Sequence, residues 1–186
     1  MKRLSVIFSL LLVLGVSAPM TPAHSRPMSI ENVMASIILQ MPLVVSWSQK
    51  KQNSEQSIEI CATSQSGVGD NIRQILATNA LGAAARFFDN VPENRMPFCH
   101  ILLINEASAK RAQYYVNLVR GHGVMTIGLS KGFVNNGGVL GFLESNTKLG
   151  LFSNKKVRFD INVVNARFER LALDPLLLEL AENVER

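Results

Sequence analysis

The sequence predicts a single compact α/β domain, with a mixed and mainly parallel sheet, helices on both of its faces and one disulfide. Three observations carry this expectation. Short apolar runs alternate along the chain with stretches of helical spacing, which is the order of βα units. The residues left after an apolar leader number about 160, the size of one domain with a continuous core. The only two cysteines, Cys61 and Cys99, each fall in one of the apolar runs.

The leader decides the compartment. Met1, Lys2 and Arg3 form a positive start, and the chain then runs apolar from Leu4 to Val16, which is the pattern of a secretory signal peptide. A helix over that stretch would span about 20 Å, short of the roughly 30 Å of a bilayer core. Residues 1–23 are therefore expected to be removed, leaving 24–186 as the working domain. The cut itself stays open: Pro19 disfavours cleavage directly after Ala18, and Ala23 and Ser25 serve equally well as the last residue removed. No cysteine follows the apolar stretch, so lipid attachment is not expected.

From Ser29 to about Pro42, Ile30, Val33, Met34, Ile37, Ile38 and Met41 recur at helical spacing, so this segment reads as an amphipathic helix capped by Ser29. Lys50 to Ser57 is polar and reads as a loop, and Ile58 to Ala62 as the first sheet strand. Asp70 is placed to cap a helix with Ile72, Ile75, Leu76 and Ala80 inward and Gly82 at its end. Arg86 to Phe88 reads as a second strand. Asn90 to Pro97 reads as a loop, and Phe98 to Ile104 as a central strand. Ala112, Tyr115, Val116 and Val119 form the inner stripe of the next helix, which Gly121 ends before a strand at Val124 to Ile127. Gly137 and Gly138 lead into Val139 to Leu143, a Gly- and Asn-containing excursion follows, and Val157 to Ile161 reads as the final strand. Asp174 and Pro175 open a C-terminal helix carrying Leu177, Leu180, Ala181 and Val184 on one face.

Charge and cysteine usage narrow the function. Without Lys2 and Arg3, 17 of the 19 basic residues face 14 acidic ones. The basic residues are scattered, with no interleaved aromatics, so nucleic acid is not an expected partner. Two cysteines in an exported chain point to a disulfide, closing a loop of roughly forty residues and contributing about 4 kcal/mol. Two separate buried thiols are the alternative. Zinc fits poorly, because Cys99, His100 and His122 lack the short ligand spacing of a structural site.

No constellation points to catalysis, and no cofactor is expected. Gly67, Val68, Gly69 and Asp70 follow a strand as a dinucleotide fingerprint would, but Ile72 stands where the third glycine belongs. The two glycines read as a turn. No Gly-x-Ser-x-Gly elbow occurs. His100 reads as a satisfied structural histidine and His122 as a solvated loop residue. Arg158 and Asp160 share a strand face and read as a local ion pair.

Several segments taken in order carry a family resemblance. Trp47 closes the first helix, Ile58-Glu59-Ile60-Cys61 forms the first strand, and Cys99-His100-Ile101-Leu102 forms a Cys-His-apolar strand. Leu129-Ser130-Lys131-Gly132-Phe133 precedes the Gly137-Gly138 pair, Arg158-Phe159-Asp160-Ile161-Asn162 forms an Arg-Phe-acid-Ile-Asn strand, and Leu176 to Leu178 fall in the last helix. This pattern resembles the YfiR-like family of periplasmic proteins over nearly the whole mature chain.

The resemblance implies a periplasmic repressor that binds the periplasmic sensor part of an inner-membrane diguanylate cyclase and lowers cyclic-di-GMP. It also implies an outer-membrane lipoprotein that withdraws the repressor, and a homodimer. Trp47, Arg158, Asn162, Leu149 and Phe152 become the candidate ligand- or partner-binding residues, with Met34 and Met41 as adaptable contacts or core. The alternative for Arg158 and Asn162 is purely structural: an ion pair with Asp160 and a cap on the next helix. Two departures bear on redox control and partner choice: a second cysteine pair found in some members is absent, and Ser145 to Lys156 is longer than usual. The function class opposed to the repressor is a periplasmic small-ligand binder or accessory of a sensory or transport system.

Overall fold

The computed structural model describes residues 29–48, 57–78, 85–149 and 152–186. The leader, residues 50–56 of the loop expected at Lys50 to Ser57, Ala80, Gly82 and Leu151 lie outside the described residues. Ser29 accepts the Asn32 N–H on its hydroxyl and opens α1 (Ile30–Val44). The helix buries Met34, Ala35, Ile38, Leu39 and Met41, so the methionines belong to the core. β1 (Val45–Ser46) leaves it and pairs antiparallel with β8 (Ala172–Leu173), a two-stranded sheet not expected from either segment.

The main sheet is built from β2 (Ile58–Ala62), β3 (Ala85–Phe88), β4 (Ile101–Ile104), β5 (Met125–Gly128), β6 (Leu140–Leu149), β7 (Phe152–Asn162) and β9 (Asn183–Glu185), in the order β3-β2-β4-β5-β6-β7-β9. Every neighbouring pair is parallel except β6 with β7. The expected mixed, mainly parallel sheet is therefore present.

Alternation along the strands sorts the core into two layers, since successive side chains leave opposite faces. Ile60, Ala62, Ile101 and Leu103 pack with α1 and with α2 (Gly67–Thr78) on one side. Cys61, Leu102 and Ile104 pack on the other with Ala112, Tyr115 and Val116 of α3 (Ala109–Leu118) and with Val119 just beyond it. Helices thus cover both faces. Gly121, at φ +79, follows α3 in the left-handed conformation that a terminating glycine supplies.

The structure corrects five details. The second helix starts at Gly67, before Asp70. Ser66 rather than Asp70 accepts the Gly69 N–H (3.1 Å), and the two glycines form the first turn of the helix instead of a turn ahead of it. A side chain at Gly69 would press on Phe87 at 3.0 Å, which is why bare backbone suits that turn. Phe98 does not begin the central strand. A 3-10 helix (Glu93–Phe98) anchored by buried Met96 carries it to the surface, where it is 70% exposed. The Cys99 N–H closes back on the Met96 carbonyl, so extended pairing starts only after it.

The excursion after Leu143 is not a loop. It is the far half of a hairpin, with pairing continuous from Leu140↔Ile161 to Leu149↔Phe152. Each strand satisfies the other's backbone, so pairing does not require the apolar alternation that marks a half-buried strand. Nor is β7 the last strand. The C-terminal helix, α5 (Pro175–Glu179), opens as expected with the Asp174 carboxylate accepting the Leu176 N–H (2.8 Å), but it stops after five residues. The Glu182 N–H donates to the Phe159 carbonyl, and Val184 then lies in β9 rather than on a helix face. Finally, Arg158 pairs with Glu182 and Asp160 accepts from Asn183 (2.8 Å), so the local Arg158–Asp160 pair gives way to cross-strand contacts.

Cys61 and Cys99 are bonded, with Cα atoms 6.0 Å apart and a sequence separation of 38. Both are buried, on β2 and immediately before β4. Cys99→Ser is expected to lower unfolding stability by about 4 kcal/mol in denaturant titration. Intact mass of the exported protein should gain two hydrogens only on reduction, and two alkylatable thiols without reductant would contradict the bond.

Candidate functional site

The polar residues of β7 form a ladder toward the C-terminus. Arg158, Asp160 and Asn162 are two residues apart, so they share one face and edge of the strand. Arg158 bonds Glu182, Asp160 accepts from the Asn183 amide, and the Asn162 amide donates to Glu185 at 2.6 Å. Three successive rungs thereby hold β9 and the residue before it. Asn162 has a second role as the cap of α4 (Val163–Phe168), its carbonyl oxygen accepting the Asn165 N–H at 2.8 Å. Asn162 is thus the helix cap that the structural alternative expects, whereas Arg158 pairs with Glu182 and not with Asp160.

Trp47 lies elsewhere, 5% exposed, at the start of the central strands. Its indole N–H donates to the His100 carbonyl (3.1 Å), and the two rings meet edge to face at 5.8 Å. His100 Nδ1 in turn accepts the Glu59 N–H (3.1 Å), which places the ring proton on Nε2 in the neutral form. The His100 backbone bonds the Glu59 carbonyl on one side and the Met125 N–H on the other. One buried histidine therefore ties β2, β4 and β5 to Trp47, as a structural histidine should. The Glu59 carboxylate, also buried, lies 3.8 Å from Arg86 and 3.9 Å from Arg95, both half exposed.

The Leu129–Phe133 motif and its glycines are explained by packing. The buried Phe133 ring occupies the space where a Cβ on Gly128 or Gly138 would stand, and a Cβ on Gly141 would meet the Phe133 Cβ at 3.3 Å. Gly128 and Gly138 form a slot for one aromatic ring, and Gly141 leaves room for the stem of the same side chain.

Glu169, absent from the sequence-based candidates, is buried and clamps the turn around His122. Its two carboxylate oxygens accept the Gly121 and Gly123 N–H groups at 2.8 and 2.9 Å. No local spacing announces this contact, because 46 to 48 residues separate the partners. His122 itself is exposed in that turn. A narrow pocket lies beside Glu169, lined by Val116, Thr126, Val139, Asn165 and Phe168 among others. Thr126 and Asn165 already bond the Val139 N–H and the Gly138 carbonyl.

Leu149 and Phe152 form the last pair of the β6–β7 hairpin, far along the chain pairing from the Asn162 rung. The fold therefore joins Arg158 and Asn162 into one structural ladder, buries Trp47 against His100, and sets Leu149 and Phe152 apart. Among the described residues, no group of three or more histidine, cysteine, aspartate or glutamate side chains is placed to hold a metal ion. Two exposed groups on α3 titrate above their usual range. Tyr114 does so because its hydroxyl donates to Glu93, and Arg111 because it bonds the Tyr115 hydroxyl. Both shifts favour the protonated form, which suits neither group to act as a base.

The sequence match to the family described as YfiR/HmsC-like runs from residue 31 to 182, from the first turn of α1 to the first rung residue before β9. The chain belongs to the YfiR/HmsC-like family. Members are periplasmic regulatory proteins. The match spans β7 with its Arg158 and Asn162, the Cys61–Cys99 pair and the Phe133 slot, so the family-like motifs of this YfiR/HmsC-like chain serve its architecture. Among curated proteins none matches. Seven solved chains do. One of them, a conserved domain protein from Vibrio cholerae O1 biovar El Tor str. N16961, is 10% identical with a TM-score of 0.57. The likeness covers 84% of this chain and 60% of that one, and it concerns the fold alone. No helix among the described residues is long and apolar enough to cross a membrane.

Substitutions separate the two rungs. Asn162→Ala removes a cap and a bond to Glu185, and should lower stability by about 1–2 kcal/mol. Arg158→Ala breaks a half-exposed ion pair and should cost less than about 1 kcal/mol. Hydrogen exchange at Asn183 to Glu185 should rise in both. Unchanged exchange there would mean that the ladder does not hold β9. Gly138→Ala should cost about 1–3 kcal/mol by overpacking the Phe133 slot, and a thermal melt identical to wild type would contradict the close approach.

Proposed function

We propose that this protein is a periplasmic, non-enzymatic regulator that binds the periplasmic part of an inner-membrane diguanylate cyclase and represses it, lowering cyclic-di-GMP signalling and biofilm formation. The observation that carries the reading is family membership from residue 31 to 182. Residues 1–23 act as the signal peptide that delivers residues 24–186 to that compartment.

The chemistry of the fold supports binding over turnover. His100, Glu169, Asn162 and the two cysteines are each engaged in holding elements together. Contact with a partner falls to exposed apolar side chains. Leu43, Phe98, Leu176 and Leu180 are each more than half exposed. An apolar anchor surrounded by polar surface is the usual centre of a protein interface. Leu149 and Phe152 remain candidate contacts, and Arg158 and Asn162 act by holding β9 in place. Trp47 contributes from inside, by positioning the strand that follows Cys99.

Repression is a population shift. The protein moves the cyclase toward its inactive state only by its difference in affinity for the two states, and a change from 1:99 to 99:1 needs about a 10⁴-fold difference. An outer-membrane lipoprotein that competes for the same surface would restore cyclase activity by mass action.

Gene deletion, complementation with the wild type and complementation with a form lacking Met1 to Ala23 test this directly. Cyclic-di-GMP should be high, low and high respectively. Equal levels in all three strains, with the wild-type protein confirmed in the periplasm, would remove the cyclase-repressor reading and favour a small-ligand binder.

A further inference from the structure

The arginines from Arg73 to Arg170 fall into two groups. Arg73, Arg86, Arg95, Arg111 and Arg158 each face a carboxylate of the same chain. Arg120, Arg167 and Arg170 are exposed, and among the described residues no carboxylate lies within ion-pair distance of them. These three meet at one place in the fold. The Arg120 guanidinium lies over the Phe168 ring, 4.7 Å from its centroid, while Arg167 and Arg170 flank Phe168 at the end of α4 and just beyond it. Val164, Arg167 and Phe168 are three and four residues apart, so they share one face of the helix. Val164 and Phe168 are each more than half exposed. The carboxylate of this segment, Glu169, is buried with both oxygens taken by the Gly121 and Gly123 N–H groups.

Arg170 stands where the fold favours glycine. Its N–H donates to the Arg167 carbonyl, and the Leu171 N–H donates to the Ala166 carbonyl, the paired closure that ends a helix through one left-handed residue. That residue is Arg170, at φ +57. A side chain there costs stability that glycine would not. Both α3 and α4 end at this place, and positive charge near a helix C-terminus is favoured, which accounts for Arg120 and Arg167. A six-residue helix that already carries Arg167 gains little from a further arginine at the strained position. Nor does the dipole give a reason for Val164 and Phe168 to stay on the surface.

We propose that this face docks an acidic segment of a partner protein, with Arg120, Arg167 and Arg170 pairing to its carboxylates and with Val164 and Phe168 receiving an apolar side chain between them. The charge is uncompensated within the chain, and the guanidinium fork fits a carboxylate with two parallel hydrogen bonds. Arginine stacked on an aromatic ring is also the composition of an interface anchor. An anionic lipid surface would match the charge but not the geometry. The cation lies on the ring itself, so Phe168 would draw Arg120 after it on entering the acyl layer, which is costly. The inference stands whether or not the partner is a cyclase, because it concerns the chemistry of the docked segment.

The test is fluorescence anisotropy with the exported, disulfide-bonded protein and a short labelled peptide of glutamates flanking one phenylalanine and one leucine, alongside its counterpart with glutamine for glutamate. The acidic peptide should bind about tenfold more tightly than the glutamine one, and should weaken as salt is raised. The triple variant Arg120→Gln, Arg167→Gln, Arg170→Gln should weaken its binding about tenfold, whereas Arg111→Gln, a charge removed elsewhere, should change it by less than about twofold. Phe168→Ala should lose the part of the binding that survives high salt. Arg170→Gly separates binding from folding: it should raise the thermal midpoint by about 2–4 °C while weakening the peptide complex. Equal affinity for the two peptides, a triple variant that binds as wild type does, or an Arg170→Gly variant that melts no higher and binds no worse would overturn the proposal. Sedimentation with vesicles of phosphatidylethanolamine and phosphatidylglycerol, without binding of the acidic peptide, would overturn it in favour of a membrane contact.

Discussion

Most of this structure depends on how the junction at Cys99 and His100 is seated. A disulfide joins it to β2, the His100 ring accepts the Glu59 N–H, and the His100 carbonyl receives both the Met125 N–H and the Trp47 indole. Two adjacent residues thus align three parallel strands and bring the chain after α1 against them. Parallel strands have no short turn to set their register, so a covalent and hydrogen-bonded node at the entry of the central strand does that work here. On the opposite side of the sheet, the Arg158, Asp160 and Asn162 rungs do the same for β9, a strand too short to pair firmly by backbone alone.

Both nodes contain residues that in isolation invite a catalytic reading. A buried histidine beside a buried glutamate, or an arginine two residues from an aspartate, is a familiar preface to acid–base chemistry. Here the histidine's Nδ1 is occupied by a backbone N–H, and the arginine and aspartate each reach across to a different C-terminal residue. Chemistry that holds strands in register is spent on architecture. Family membership in a group of periplasmic regulators agrees with a protein whose activity lies on its outside.

Local pattern made a large part of the fold legible. The stripe of α1 with its Ser29 cap, the strand at Ile58 to Ala62, the α3 stripe, the Asp174-Pro175 start and the disulfide all follow from spacing, capping chemistry and an even cysteine count. What stayed hidden is long-range. Glu169 reaches back to Gly121 and Gly123, Val184 abandons helical spacing because Glu182 is captured by β7, and β1 meets β8 from the far end of the chain. The β6–β7 hairpin was hidden for another reason: its strands pair with each other at polar positions, without the alternation that marks a half-buried strand. At the candidate site, Asn162 was legible as a cap, but Glu182, Asn183 and Glu185 carried no sign of being the partners of Arg158, Asp160 and Asn162.

A regulator that works by its surface must be found attached to something in the envelope. The most direct measurement is affinity capture from solubilised envelope membranes with the mature, disulfide-bonded domain as bait, followed by identification of the retained proteins. Specific recovery of an integral membrane protein with a periplasmic sensor part and a cytoplasmic diguanylate cyclase domain is the expected result. Enrichment of an outer-membrane receptor or a histidine kinase in its place, or of no membrane protein at all, would contradict it.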